Sequence, residues 1–266
     1  MLKSILRNFY YKSKSICSLL NSDTYECSTI SKILKMQRKK EIYHIINNLR
    51  FLGDEICTTH NIDFGNEEKF RTAIGNCYEG VPNFLVDSAK KDLLWRYHIC
   101  CWAASKCMDV EGDFVELGVW YGLLSRTICD YVNFDNCPKS FYLVDSWGKM
   151  QGSHTNPVYA NDIYENVCSR FKDYKNVKLI RGLVPEALIK LPIQKIAFLG
   201  IDMNGSKPER AALEYYYNKI SPGGIIFFDD YGWNYPELRR EVDDFFYDKP
   251  EKLLHFPTGN SIVIKS

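Results

Sequence analysis

Three carboxylates stand where a buried strand has no use for them. The apolar run Ile196 to Ile201 ends in Asp202, within Ile201-Asp202-Met203-Asn204. The run Ile225 to Phe228 ends in Asp229 and Asp230, with Asp229 lying 27 positions beyond Asp202. In open α/β sheets ligands bind outside the carboxyl ends of the strands. If the two runs are adjacent parallel strands, about 4.8 Å apart, Asp202, Asp229 and Asp230 share one small volume. Several hard oxygens, with the Asn204 amide beside them, suit Mg²⁺ better than zinc. Taken singly, each acid also reads as a helix cap or a turn residue; three converging acids favour the metal.

A second group lies upstream. Phe114 to Leu117 runs into Glu116-x-Gly118-x-x-x-Gly122. Glycines at a strand-to-helix turn let the backbone approach a ligand closely. An acid ahead of that turn suits a positively charged ligand, such as a sulfonium or an ammonium. The spacing is not the G-x-G-x-x-G of dinucleotide sites, and a purely structural tight turn would give the same pattern. Asp145 closes the next apolar run, 23 residues beyond Gly122. That is near the spacing at which an acid grips ribose hydroxyls; a cap or turn is its alternative. Glycine turn and acid together describe a nucleoside ligand without phosphates.

These residues need a scaffold of alternating strands and helices, and the chain reads that way from Asp87 onward. A helix is expected from Asp87 or Ser88 to about Met108. Strands are expected over 114–117, 140–144, 177–180, 196–201 and 225–228. Helices are expected over 121–133, 159–171, 185–190, 208–219 and 236–247. Lys252 to Phe256, the turn Pro257-Thr258-Gly259-Asn260 and Ser261 to Ile264 read as a hairpin. Five strand–helix units imply a doubly wound, mainly parallel sheet with helices on both faces, edged by the antiparallel C-terminal hairpin. Upstream, Ser31 to Leu52 has helical spacing, and 53–83 looks loop-rich from its glycines and Pro82. The expected division is a helical, basic extension over 1–85 and an α/β domain over 86–266.

Composition narrows the partners. The net charge of +1 gives no global reason to expect nucleic acid. Residues 1–50 hold ten Lys/Arg against three acids, while the rest hold 24 against 30. That arm is suited to weak contact with an anionic membrane surface or polymer; the plainer reading is a solvated helical extension. Its apolar stretches are broken by Arg7, Asn8, Lys12 and Lys14, unlike a secretory signal. No run approaches the ~18–20 apolar residues that span a bilayer. The ten cysteines contain no C-x-x-C pair, so reduced, partly buried thiols in a cytoplasmic protein are expected.

Order and spacing of these stretches carry a resemblance. Glu111-Gly-Asp-Phe-Val-Glu-Leu-Gly-Val, Phe141-Tyr-Leu-Val-Asp-Ser, Arg181-Gly-Leu-Val-Pro, Pro208-Glu-Arg-Ala-Ala-Leu-Glu, Pro222-Gly-Gly, Asp229-Asp-Tyr-Gly and Pro257-Thr-Gly span roughly 88–266. The chain resembles class I S-adenosylmethionine-dependent methyltransferases. More narrowly, it is similar to the metal-dependent sugar O-methyltransferases of macrocin, mycinamicin and novobiocin type. The resemblance implies a Rossmann-like seven-stranded sheet and an S-adenosylmethionine pocket lined by Glu116, Gly118, Tyr121, Gly122, Asp145, Ser146, Gly182 and Asp202. It implies Mg²⁺ or another divalent cation on Asp202, Asp229 and Asp230, and self-association.

One departure stands out. Relatives carry a second aspartate, proposed as general base, where this chain has Asn204, and an amide cannot take a proton. His154, in the polar loop Gly152-Ser-His-Thr-Asn-Pro, is a candidate base; an exposed loop histidine is the alternative. His154, Asn204 and Asp230 are thus the residues expected at the reacting hydroxyl. The expected reaction is methyl transfer to a hydroxyl of a sugar or glycoconjugate. The rivals are a catechol or small-phenol acceptor, and a non-catalytic subunit of a glycan-assembly complex. Residues 1–85 are expected to serve as lid, acceptor contact or oligomer contact.

Overall fold

The computed structural model of the protein describes residues 47–83, 86, 93–148, 163–233 and 235–266. The chain divides into two compact units, residues 1–51 with 57–61, and residues 52–56 with 62–266. Of the helix expected over 31–52, residues 31–46 lie outside the described residues, and 47 and 48 are helical. Phe51 and Leu52 instead belong to strand β1 (Phe51–Gly53), paired with β2 (Ile56–Thr58). The chain reverses between them on Asp54 and Glu55, at φ 48° and 61°. Two left-handed residues in a two-residue loop are the mark of the type I′ turn, whose twist matches that of a hairpin.

The segment expected to be loop-rich carries a helix, α1 (Glu68–Cys77). Phe70, Ala73 and Cys77 recur at helical spacing and bury one face. That burial outweighs the cost of roughly 1 kcal/mol for Gly75 inside the helix. Next come α2 (Leu94–Lys106), β3 (Asp113–Leu117), α3 (Leu123–Val132), β4 (Phe141–Asp145), α4 (Ile163–Phe171), β5 (Val177–Arg181) and β6 (Ile196–Ile201). The chain ends with α5 (Ser206–Tyr216), β7 (Ile220–Phe228), α6 (Pro236–Phe246), β8 (Leu254–His255) and β9 (Ser261–Ile264). The helix expected over 185–190 is only a 3-10 turn, Leu188–Lys190. Pro208 falls in the first turn of α5, where its missing N–H is harmless.

The seven-stranded sheet has the order β5-β4-β3-β6-β7-β9-β8, so it is doubly wound as expected. Pairs from β5 to β7 are parallel, and β9 and β8 close the edge antiparallel. Side chains alternate between faces with period two. Phe114, Phe198 and Phe227 pack with α1 to α4, whereas Val115, Leu117, Leu199, Ile201 and Phe228 pack with α5 and α6. Burial on both faces is why these strands read as unbroken apolar runs.

Among the described residues no helix is long and apolar enough to cross a membrane. The eight described cysteines are free, and five of them are buried.

Gly118 takes φ 85°, and a Cβ there would run into the backbone carbonyl of Asp202. Gly75 is exposed, with nothing within 4 Å of its would-be Cβ. We therefore expect Gly118→Ala to cost at least about 2–3 kcal/mol, through a left-handed backbone plus a backbone collision. Gly75→Ala should stabilise by about 0.5 kcal/mol. Urea melts of the two variants measure both; a neutral Gly118→Ala would show that β3 and β6 do not meet as described.

Candidate active site

Backbone hydrogen bonds build the site first. The Asp202 N–H donates to the Leu117 carbonyl at 2.8 Å, and the Asp229 N–H to the Ile201 carbonyl at 3.0 Å. The parallel ladder thus continues one residue past the strand ends. It sets the ends of β3, β6 and β7 side by side, at the point where strand order reverses between β3 and β6. Both turn glycines have a structural reason. Gly118 lets the β3 turn meet Asp202, while Gly122, at φ 69°, would place a Cβ 2.6 Å from the Phe171 ring.

Glu116 is carried by β3 into the interior. It is 2% exposed, and its Oε2 has no hydrogen-bond partner. Burial pushes its pKa up to about 8. A buried acid without a counter-charge is costly, and a cationic ligand group at this turn would relieve it. That orphaned oxygen fits the donor implied by the sequence resemblance.

Asp145 already has work. Its Oδ2 accepts the N–H groups of Val119 and Trp120, each at 2.8 Å. Its Oδ1 accepts the Trp147 N–H at 2.8 Å and the Ser146 hydroxyl at 3.4 Å. It thereby staples the β3 and β4 turns, where Trp120 and Trp147 both sit at positive φ. The Trp147 indole N–H in turn reaches the Trp120 carbonyl at 2.8 Å. Any grip on a ribose comes on top of that. Gly182 donates its N–H to the Asp145 carbonyl at 2.9 Å. Tyr121 is buried edge-on against Trp120. His154 lies outside the described residues.

Asp202, Asp229 and Asp230 each offer an oxygen within 4.8 Å of the others. At the effective dielectric of such a site, a pair of like charges this close repels by about 3–4 kcal/mol. Three such pairs rival the ~5–15 kcal/mol stability of a whole domain, so the cluster calls for positive charge nearby. Burial raises Asp229 to about 6, even with Arg96 opposing. Burial and the neighbouring Asp229 push half-buried Asp202 well above the usual carboxylate range. An all-oxygen set at this spacing fits a hard divalent cation.

Four neighbours escaped the sequence reading. Arg96, on α2, donates to the Asp229 carboxylate, to Asp230 Oδ1 at 3.4 Å, and to both oxygens of Asp54 at 2.9 and 3.2 Å. Asn260 donates to the Asp229 carbonyl at 2.6 Å and to its Oδ1 at 3.1 Å. Glu209, 3% exposed, lies beside the Asp202 loop, where the backbone N–H groups of Met203, Gly205 and Asn204 partly oppose the upward push of burial on its carboxyl. The one available signal was Arg96 itself, a cation near the start of the stretch Leu94 to Ala104, which apart from it and His98 is apolar or aromatic. Asn204 is exposed at φ 52°, a conformation Asn tolerates better than most residues. Its amide donates to Asp202 Oδ1 at 3.4 Å; it orients a carboxylate and cannot deprotonate anything.

A profile of the macrocin-O-methyltransferase (TylF) family matches residues 96–253. No curated protein matches the sequence. Among solved structures, the O-methyltransferase NovP superposes with a TM-score of 0.55 at 21% identity, over 66% of this chain and 81% of its own. CalS11, a TDP-rhamnose 3′-O-methyltransferase of calicheamicin biosynthesis, gives 0.50 at 16%, over 77% and 96%. The SAH-bound Podospora anserina methyltransferase PaMTH1 gives 0.51 at 15%, over 76% and 97%. At these identities the structures speak for the fold.

Glu116 also sets a pH dependence. Its folded pKa, about 8, exceeds the ordinary carboxylate value of 4.5. Between those limits the unfolded chain releases a proton that the folded chain keeps, so ligand-free stability falls as pH rises through that window. Glu209, also raised to about 8, adds to the same slope. We expect Glu116→Gln to flatten the decline of Tm between pH 5 and 8 and to melt above wild type at pH 8. Thermal melts across that range would contradict this if the two slopes coincide.

Proposed function

The chain belongs to the macrocin-O-methyltransferase family of S-adenosylmethionine-dependent O-methyltransferases, and from that premise we propose that it methylates a hydroxyl of a sugar, with a divalent cation on Asp202, Asp229 and Asp230. One observation carries the reading: the orphaned Glu116 acid and the carboxylate cluster lie at the ends of three adjacent strands. A cationic donor and an oxygen-rich acceptor site thus share one edge of the sheet.

S-adenosylmethionine supplies a methyl already activated on a sulfonium, so the protein's task is chiefly positioning. Glu116 offers its free oxygen to the donor's ammonium. The Gly118 to Gly122 turn, with Tyr121, and the Asp145–Ser146 turn, against Gly182, form the walls for the nucleoside. A bound divalent cation would orient two vicinal oxygens and lower the pKa of one. Asn260 holds Asp229, and Asn204 holds Asp202, in the orientation such a site needs. Trp233, 38% exposed, and Tyr235, 46% exposed, follow Asp230 directly and give an acceptor ring two aromatic surfaces. Since Asn204 cannot take the hydroxyl proton, a carboxylate of the cluster, Asp230 first, or His154 receives it. The TDP-rhamnose substrate of CalS11 and the family's name support a sugar acceptor over a flat phenol.

Incubation with S-adenosylmethionine, Mg²⁺ and separate pools of nucleotide sugars and catechols should give a product one methyl heavier in the sugar pool alone. EDTA should abolish it and added Mg²⁺ restore it. Methylated catechol with untouched sugars would overturn the acceptor assignment. Asp202→Asn and Asp230→Asn should lower kcat by at least about a hundredfold while adenosylhomocysteine still binds by calorimetry. Loss of that binding in a folded variant would count against the metal role.

A further inference from the structure

Arg96 has two sets of acidic partners, and only one belongs to the cluster. Along one edge its Nε and Nη2 fork onto Asp54 Oδ2 and Oδ1 at 3.2 and 2.9 Å. From the other, Nη1 reaches the Asp229 carboxylate and Asp230 Oδ1. The remaining Nη2 donor meets the Thr258 carbonyl at 3.3 Å. The side chains of Arg96 and Asp54 are 6% and 1% exposed, so little solvent screens the pair. Asp54 reaches this position from a two-residue turn in which both residues, including Glu55, stand in the left-handed region. Backbone held in such a conformation is worth examining for a function.

A guanidinium and a divalent cation want the same oxygens. Arg96 already donates to Asp229 and Asp230, and its positive charge repels a second cation there. Asp54 counters both effects. It holds two of the guanidinium's five donors away from the cluster and offsets its charge. We propose that Arg96 is the built-in counter-cation of the acidic cluster, and that Asp54 is a positioning residue acting through it, drawing Arg96 off Asp229 and Asp230 so that a divalent cation can bind.

This rests on the divalent-cation reading above, and the test separates the two. Mn²⁺ is titrated into the full-length chain, without methyl donor or acceptor, and free Mn²⁺ is followed by electron paramagnetic resonance. Asp54→Asn removes one charge while keeping the side chain's shape and its tolerance of positive φ. It should weaken Mn²⁺ binding about tenfold or more, the usual scale for a residue behind the ligands. Arg96→Gln should tighten it, and the Asp54→Asn/Arg96→Gln double variant, with the net charge of wild type, should return to within about threefold of wild type. A pair that only held the fold together would leave the double variant no better than the single one. Circular dichroism checks folding. Should Asp54→Asn not fold, Arg96→Gln decides: unchanged or weaker Mn²⁺ binding overturns the proposal. Equal affinities in wild type and Asp54→Asn overturn it and leave the metal reading intact. No Mn²⁺ binding by wild type overturns both.

Discussion

A buried guanidinium sits among acids that would otherwise repel one another, and much else in the site depends on it. Asp202, Asp229 and Asp230 crowd oxygens within 4.8 Å, and Asp54 adds a fourth carboxylate within bonding distance of Arg96. One arginine against four acids leaves the site strongly negative. Burial first, and the neighbouring acids after it, leave Asp202 and Asp229 with raised pKa values even beside a cation. The apo site is therefore a poor resting place for full ionisation and a good receiver of positive charge. The sulfonium donor and the proposed divalent ion both answer that need, one from each side of the strand ends.

The fold's share is geometric. A parallel ladder fixes which residues stand level with one another: Leu117, Ile201 and Phe228 are in register across β3, β6 and β7. Residues one position further are then neighbours without any side-chain contact to enforce it. Glycine at 118 lets the first two strand ends close up, and β9 follows a turn that brings Asn260 onto Asp229. The left-handed residues cluster at the same edge, with Trp120, Trp147 and Asn204 all beyond strand ends. Turning each chain end away from the sheet so abruptly clears the crevice at the switch point.

What the sequence made legible was what periodicity and strand-end chemistry encode. Runs such as Ile196 to Ile201 show a doubly buried strand without ambiguity, and an acid ending such a run cannot be core. Hence the parallel sheet and the three clustered aspartates were readable, and so was the family. The hairpin turn at Asp54-Glu55 was not, because neither residue is the glycine that usually marks a type I′ turn. Helix α1 was hidden by Gly75 inside it and by Gly65 and Gly80 on either side, since the burial that overrides them is tertiary. Arg96 and Asn260 were invisible as site residues because their partners lie 133 and 31 positions away, and a single sequence does not pair distant residues.

Asn204 is the place where that electrostatic balance bears on chemistry. An aspartate there would add a fifth carboxylate to a cluster already short of positive charge, and its own pKa would rise with the rest. The amide avoids adding to that concentration of negative charge and donates to Asp202. On the function proposed, the hydroxyl proton passes to a carboxylate of the cluster or to His154, and a bound cation would ease that transfer by lowering the hydroxyl's pKa. The same concentration makes the Arg96–Asp54 pair consequential, because any cation admitted to the cluster changes how readily its carboxylates ionise.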